Sequence, residues 1–314
     1  MGRGGARGGS MSSRAQGAPR PFPLVPRRRF LGVQFGRRRS SRRGLGDEVA
    51  GTRPYRPGDL IAHIHWAASA RLSEARGTDE FVVREFFAEQ APRVALVHDR
   101  RPGMAINSPP SPWLDKRAAA EAAGRLIEVS AAAEQGELVS VDGALRHPVQ
   151  RRRGAARKAQ ADEAYDASET SLSVALEALV QESSVLPTGS FVFVVSDFLT
   201  PVPARLWLRL RALRWDVVPV IVQDPVWEQT FPLVGGVVLP IADPGSGDVE
   251  DVWVSAREAR ERARANEQRL AELLGRFRRL GFDPVLVDTS DPREIGDRFR
   301  AWADRRRRAW TVQA

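Results

Sequence analysis

The chain has no cysteine. That excludes disulfides, thiolate metal sites and thiol catalysis together, and gives no support to a secreted, stapled fold. Long apolar runs are missing as well. The aliphatic stretches Phe191 to Val195 and Val217 to Val222 fall far short of the ~20 residues that a membrane-spanning helix needs. No apolar stretch near the N-terminus reads as a signal peptide. These absences predict a soluble, cytoplasmic protein without a membrane span. Histidine is scarce, and the four present (His63, His65, His98, His147) include no helical i, i+4 pair; His63 and His65 stand two apart, on one face of an extended segment. No phosphate loop is present. Gly2 to Gly9 is tail composition, and Gly235-Gly236 lacks the lysine and hydroxyl that such a loop requires. No serine nucleophile elbow occurs either.

What the chain does have is arginine. Its net charge is +9 over 314 residues, with 48 basic and 39 acidic side chains. Twelve of the basic residues are arginines within residues 1–43, which contain no acid, so residues 44–314 carry 36 basic against 39 acidic groups. The basicity is a property of the tail. A tail rich in arginine, glycine, serine and proline buries too little apolar surface to order itself, which predicts disorder over 1–43. Such a tail attracts anionic polymers, including nucleic acid, in a salt-dependent manner.

Beyond the tail, apolar strands alternate with amphipathic helices. Arg93 to Asp99, Ser190 to Asp197, Val217 to Val222 and Pro284 to Asp288 read as buried strands, three of them ending in an acid. Helices are expected from about Trp113 to Gln135, Ser171 to Leu179 and Pro203 to Arg214, and after Ser255, which forms a capping box with Glu258. Glu137–Val141 and Leu145–Val149 suggest a hairpin turning at Asp142-Gly143. Arg151 to Asp162 is polar without period and reads as a loop. The alternation predicts an α/β fold with a doubly wound, mainly parallel sheet covered on both faces. Ligands of such sheets lie beyond the carboxyl ends of the strands, where Asp99, Asp197 and Asp288 stand.

The densest group of special residues lies earlier, from Gly46 to Arg71. Arg53 and Arg71 bracket Asp59, Tyr55 and Trp66 supply aromatics with polar handles, and Pro57-Gly58-Asp59 punctuates the middle. Gly46, Glu48, Arg53, Tyr55, Gly58, Asp59, Ile64, Trp66, Ala70 and Arg71 together resemble the signature of the bacterial family known as domain of unknown function fifty-eight. Arg53, Tyr55, Gly58, Asp59, Trp66 and Arg71 read in two ways: as a network anchoring this segment to the sheet, or as a partner-docking surface, where Trp, Tyr and Arg are the usual anchors. The expected division is a disordered tail (1–43), a signature segment packing on the core (44–90) and a core domain (91–314).

The resemblance implies a von Willebrand factor A-like core. In that fold a loop of the form Asp-x-Ser-x-Ser, a Thr and a further Asp hold Mg²⁺, a hard cation suited to oxygen ligands. Here the loop reads Asp99-Arg100-Arg101-Pro102-Gly103, so both serines are lost, while Thr170 and Asp197 match the other elements. A guanidinium at that range opposes a metal, which predicts a degenerate site in which Arg101 pairs with Asp99 or Asp197. Such an arginine could still receive a partner's carboxylate through a bidentate contact. The resemblance also implies a partner, a MoxR-type AAA+ ATPase, which this chain would serve as a non-catalytic adaptor without a cofactor. Nucleic-acid binding through the tail is the alternative. A hydrolase using Asp99, Asp197 and a neighbouring His is a lesser one.

Overall fold

The computed structural model describes residues 19–27, 49–86, 92–106, 114–142, 149–153 and 164–313. Its centre is a six-stranded sheet. The strands are β3 (Arg93–His98), β4 (Glu137–Asp142), β5 (Val149–Arg153), β6 (Phe191–Ser196), β7 (Asp216–Val222) and β10 (Val285–Val287), with spatial order β10-β7-β6-β3-β4-β5. Five run parallel, and β5 closes one edge antiparallel to β4. All of β6 and the last five residues of β3 are buried, because a parallel strand is covered on both faces and every side chain must be apolar or partnered.

Alternation along the strands divides the core into two layers. One layer takes Val94, Leu96, Phe193, Val195, Val220 and Val285 against α2 (Lys116–Ala133) and α6 (Pro292–Gln313). The other takes Ala95, Val97, Val192, Val194 and Val217 against α3 (Ser171–Gln181), α4 (Ala204–Ala212) and the end of α5 (Ala256–Leu280). The expected capping box opens α5: Ser255 Oγ accepts from Glu258 N at 3.2 Å, and Ser255 N donates to Glu258 Oε2 at 2.9 Å. Asp115 caps α2 in the same way, so that helix begins at Lys116 rather than near Trp113.

The hairpin after α2 differs from its expected limits. Its second strand is Val149–Arg153 rather than Leu145–Val149, and takes in Arg151 to Arg153, which were assigned to a loop. Ladder bonds are made by the backbone, and an arginine-rich strand is tolerated at an edge, where it also discourages pairing with other chains. The rest of that loop, 154–163, lies outside the described residues. Between β7 and α5 the chain inserts an antiparallel hairpin, β8 (Val237–Ala242) with β9 (Val249–Val254), which the sequence reading did not find.

The signature segment forms its own antiparallel pair, β1 (Val49–Pro54) with β2 (Val82–Phe86), joined through α1 (Trp66–Arg76). Its helix has almost no apolar face. Only Ser69 is buried, and its hydroxyl hydrogen-bonds across to β2, accepting from Val82 N at 2.9 Å.

Part of the supposed tail is ordered. Residues 19–27 form a strap across α2 and α6, correcting the expectation of disorder over the whole of 1–43. Phe22 N donates to Ser130 Oγ at 3.0 Å, Leu24 N to Glu134 Oε1 at 2.7 Å and Arg27 N to Asp216 Oδ2 at 2.7 Å. Phe22 is buried against Phe193, Phe299 and Trp302. Residues 1–18 and 28–43, with the tail's remaining arginines, lie outside the described residues. Phe22→Ala should lower stability by about 3 kcal/mol in urea denaturation; a loss under about 1 kcal/mol would show that the strap adds nothing to the core.

Candidate functional site

Two loops at the carboxyl edge of the sheet bring the strand-end acids together. Asp99 follows β3 and Asp197 follows β6, neighbouring parallel strands, so both carboxylates emerge side by side. Arg101 turns back between them. Its Nη2 donates to Asp99 Oδ2 at 2.6 Å and to Asp197 Oδ1 at 2.9 Å, and its Nε to Asp99 Oδ1 at 3.0 Å. Its Nη1 donates to Glu169 Oε2 at 3.1 Å and also to Thr200 Oγ1. All five N–H groups of the guanidinium are thereby engaged. Arg101 thus bridges both carboxylates, and no donor is left for a partner's carboxylate, which removes that expected role.

A second cation completes the cluster. Lys116, the first residue of α2, is 2 % exposed at its side chain, and its Nζ lies 2.7 Å from both Asp197 Oδ2 and Glu228 Oε1. Burial pulls the Lys116 ammonium down, but the charges of Asp197 and Glu228 more than reverse this and raise it above its usual range. Burial likewise opposes ionisation of Asp197, yet Lys116 and Arg101 hold its carboxyl below the ordinary value. At Glu228 burial prevails, and the carboxyl is pushed up despite Lys116. Ser196 Oγ donates to Asp99 Oδ2 at 2.7 Å, and Leu199 N to Asp197 Oδ1 at 3.0 Å. Asp224, just beyond β7, accepts from the backbone of Leu114, Val226 and Trp227, fixing the start of α2 and the loop that carries Glu228.

These residues do not fit a divalent cation. The position between Asp99 and Asp197 is taken by a covalently attached guanidinium, the two serines are Arg101 and Gly103, and Asp197's second oxygen faces an ammonium. Thr170, expected to supply a hydroxyl, is exposed at the start of α3 and sits 3.3 Å from Ser168 Oγ. Its neighbour Glu169 and Thr200 occupy that side of the cluster instead. The third strand-end acid, Asp288, is bonded to Arg298 away from this site. His98 does not join Asp99. It lies on the opposite face of β3, where Tyr165 Oη is 3.3 Å from its Nε2 and its ring rests beside Gly124 of α2.

The signature residues assemble only in part. Arg53 clasps Asp59 through two bonds of 2.7 Å, and Asp59 also accepts from Arg56 N at 2.8 Å. Gly58 has φ +104, a conformation that favours glycine in this turn. Arg71 is exposed on α1 and makes no hydrogen bond to Asp59. Tyr55 and Trp66 meet Phe81 instead, edge-on, with ring centroids 6.5 and 6.1 Å away. Trp66, Leu60, Ile61 and Phe81 are 60, 61, 69 and 46 % exposed, large apolar side chains that stand out among the described residues of this segment. Phe81 and Lys116 were the residues missed. Lys116 carried one faint signal, being one of only two lysines in an arginine-rich chain.

A parallel sheet of this strand order, with its antiparallel edge and a strand-end acid cluster, defines a von Willebrand factor A-like α/β domain, here with cations built into the cluster. The chain belongs to the family described as Protein of unknown function DUF58, whose pattern matches residues 51–272. Uncharacterized proteins of Mycobacterium bovis and Mycobacterium tuberculosis are each 27 % identical over 299 residues, covering 93 % of this chain and 90 % of the relative. Among solved structures, an aerotolerance-related membrane protein from Bacteroides fragilis is similar at a TM-score of 0.36 and 10 % identity, over 67 % of this chain and 99 % of that one. The conserved hypothetical protein BatB from Bacteroides thetaiotaomicron is similar at 0.35 and 11 %, over 68 % and 99 %. Among the described residues of this chain, no helix is long and apolar enough to cross a membrane.

Two outcomes follow from the charges. Lys116→Met leaves Glu228 buried without its cation and should cost about 3 kcal/mol in urea denaturation; a loss under about 1 kcal/mol would mean that water reaches the cluster freely. The hydrogen bond from Arg53 lowers the Asp59 carboxyl to about 2 from 3.8. The clasp's contribution is therefore whole above pH 3.8 and is lost as pH falls from 3.8 towards 2. An NMR titration of the Asp59 carboxyl checks this, and a midpoint near 4 would contradict the clasp.

Proposed function

We propose that the chain is a non-catalytic protein-interaction module that serves as an adaptor for a MoxR-type AAA+ ATPase, in chaperone-like assembly or cell-envelope work. The observation that carries this reading is the set of exposed apolar side chains in the signature segment. Trp66, Ile61, Leu60 and Phe81 stand exposed beside the Arg53–Asp59 clasp, an aromatic and aliphatic centre with a charged rim. This is the composition of a docking hot spot. The ATPase itself comes from the family resemblance.

The acid cluster supports a non-catalytic role. Arg101 and Lys116 are bonded to the carboxylates Asp99, Asp197 and Glu228, which are thus committed to holding loops. In this reading the cluster is a rigid base, and the signature segment is the surface that a partner meets.

The test is direct binding between the purified full chain and a MoxR-type ATPase from the same organism, with and without ATP. Trp66→Ala and Ile61→Asp should each weaken the complex at least about tenfold while barely moving the melting temperature, because both side chains are exposed. Failure of the unmodified chain to bind in either nucleotide state would overturn the partner. Retained affinity in both variants would overturn the surface.

A further inference from the structure

At the amino ends of β6, β7 and β10, opposite the acid cluster, lies a cavity of about 710 Å³. Five arginines line it: Arg27 from the strap, Arg211 and Arg214 from the end of α4, and Arg278 and Arg279 from the last turn of α5. Trp215 and Phe282 contribute a buried apolar floor. Asp216, the one acid among the lining residues, is already held by two bonds from Arg306 and by the backbone N–H of Arg27. Among the described residues none of the five guanidiniums makes a hydrogen bond or ion pair with the protein. At the opposite end, by contrast, Arg101 uses all five of its donors and Lys116 is bonded to two carboxylates.

Part of this concentration has an ordinary cause. Arg211, Arg278 and Arg279 stand in the last turns of helices, where the macrodipole favours cations. Arg214 follows the C-cap of α4 directly, and Arg27 Nη1 reaches Gly281 at the C-cap of α5, so both lie in the same kind of field. Arg214 takes φ +55, a left-handed conformation that suits glycine, while its carbonyl accepts from Gly189 N at 3.0 Å. A glycine would satisfy that turn without strain. Arg27 Nη1 rests beside Gly281, whose φ of +80 at the C-cap of α5 accounts for the glycine.

We propose that this cavity binds a ligand bearing two or more linked phosphate groups. Guanidinium forks match phosphate oxygens two at a time, and a phosphate chain carries enough charge to relieve the mutual repulsion of five cations. The volume is that of a small-molecule site, and the floor of Trp215 and Phe282 suits an apolar or planar body. The linked phosphates come either from a nucleotide or from an inorganic polyphosphate.

Calorimetry and thermal melts of the full chain, with ATP and with sodium tripolyphosphate, test this. Both should bind at low salt, weaken as salt rises and raise the melting temperature. Because the arginine-rich residues 1–43 also attract polyanions, the deciding variant is Arg214→Gly. It should leave the unliganded melting temperature unchanged or higher and weaken binding at least about tenfold. Arg211→Ala/Arg278→Ala should do the same. ATP binding about tenfold tighter than tripolyphosphate would assign the site to nucleotides, and equal affinities would assign it to inorganic chains. Absence of binding by both ligands, undiminished affinity in Arg214→Gly, or equal affinity for a glutamate-rich peptide would overturn the proposal.

Discussion

A guanidinium buried between two carboxylates sets the conditions for the carboxyl edge of this sheet. Asp99 and Asp197 emerge from adjacent parallel strands, so the fold itself forces two acids together where water is excluded. Left alone the two carboxylates would repel each other. Arg101 prevents this, and Lys116 matches what remains of Asp197 while reaching Glu228. The loops after β3, β6 and β7 and the start of α2 are bound into one body through these charges. A cation fixed to the chain neither dissociates nor competes with solution ions. The edge therefore keeps its shape whatever the metal supply, unlike one held by a coordinated ion.

A second hub works at the other end. Arg306 on α6 bonds Asp216 twice, Asp283 and the carbonyl of Val25, and its guanidinium lies 4.1 Å from the ring centroid of Trp302. It thereby connects β7, the turn before β10, the strap and its own helix. Both hubs use arginine because a planar fork with several donors can hold three or four elements at once.

Much of the sheet was legible in the sequence because buried parallel strands are uninterrupted apolar runs, and β3, β6 and β7 stand where those runs stand. Strand-terminal acids and the arginine two residues after Asp99 were legible for the same reason, since position along a strand fixes where a side chain emerges. What remained hidden depends on distance. Lys116 meets Asp197 and Glu228 from 81 and 112 residues away, and no local pattern marks such a meeting. The strap reads as disordered by composition, and its order is supplied by Ser130, Glu134, Asp216 and Arg306. α1 escaped notice because its apolar residues, Trp66, Leu72 and four alanines, are spread round the helix, so no periodicity announces it. The match of Thr170 failed by one residue, because Glu169 rather than its neighbour faces the cluster.

The strap also orders events in time. Val25 receives its bond from a residue 281 positions later, and Phe22 packs on Phe299 and Trp302 of the last helix. During synthesis, the α2 side of the sheet therefore stays only partly covered until α6 has been made. Residues 281 positions apart must then meet, the kind of non-local pairing that slows folding. Until that closure the part of the face bearing Leu96, Phe193 and Val220 that α2 does not cover is open to wrong associations.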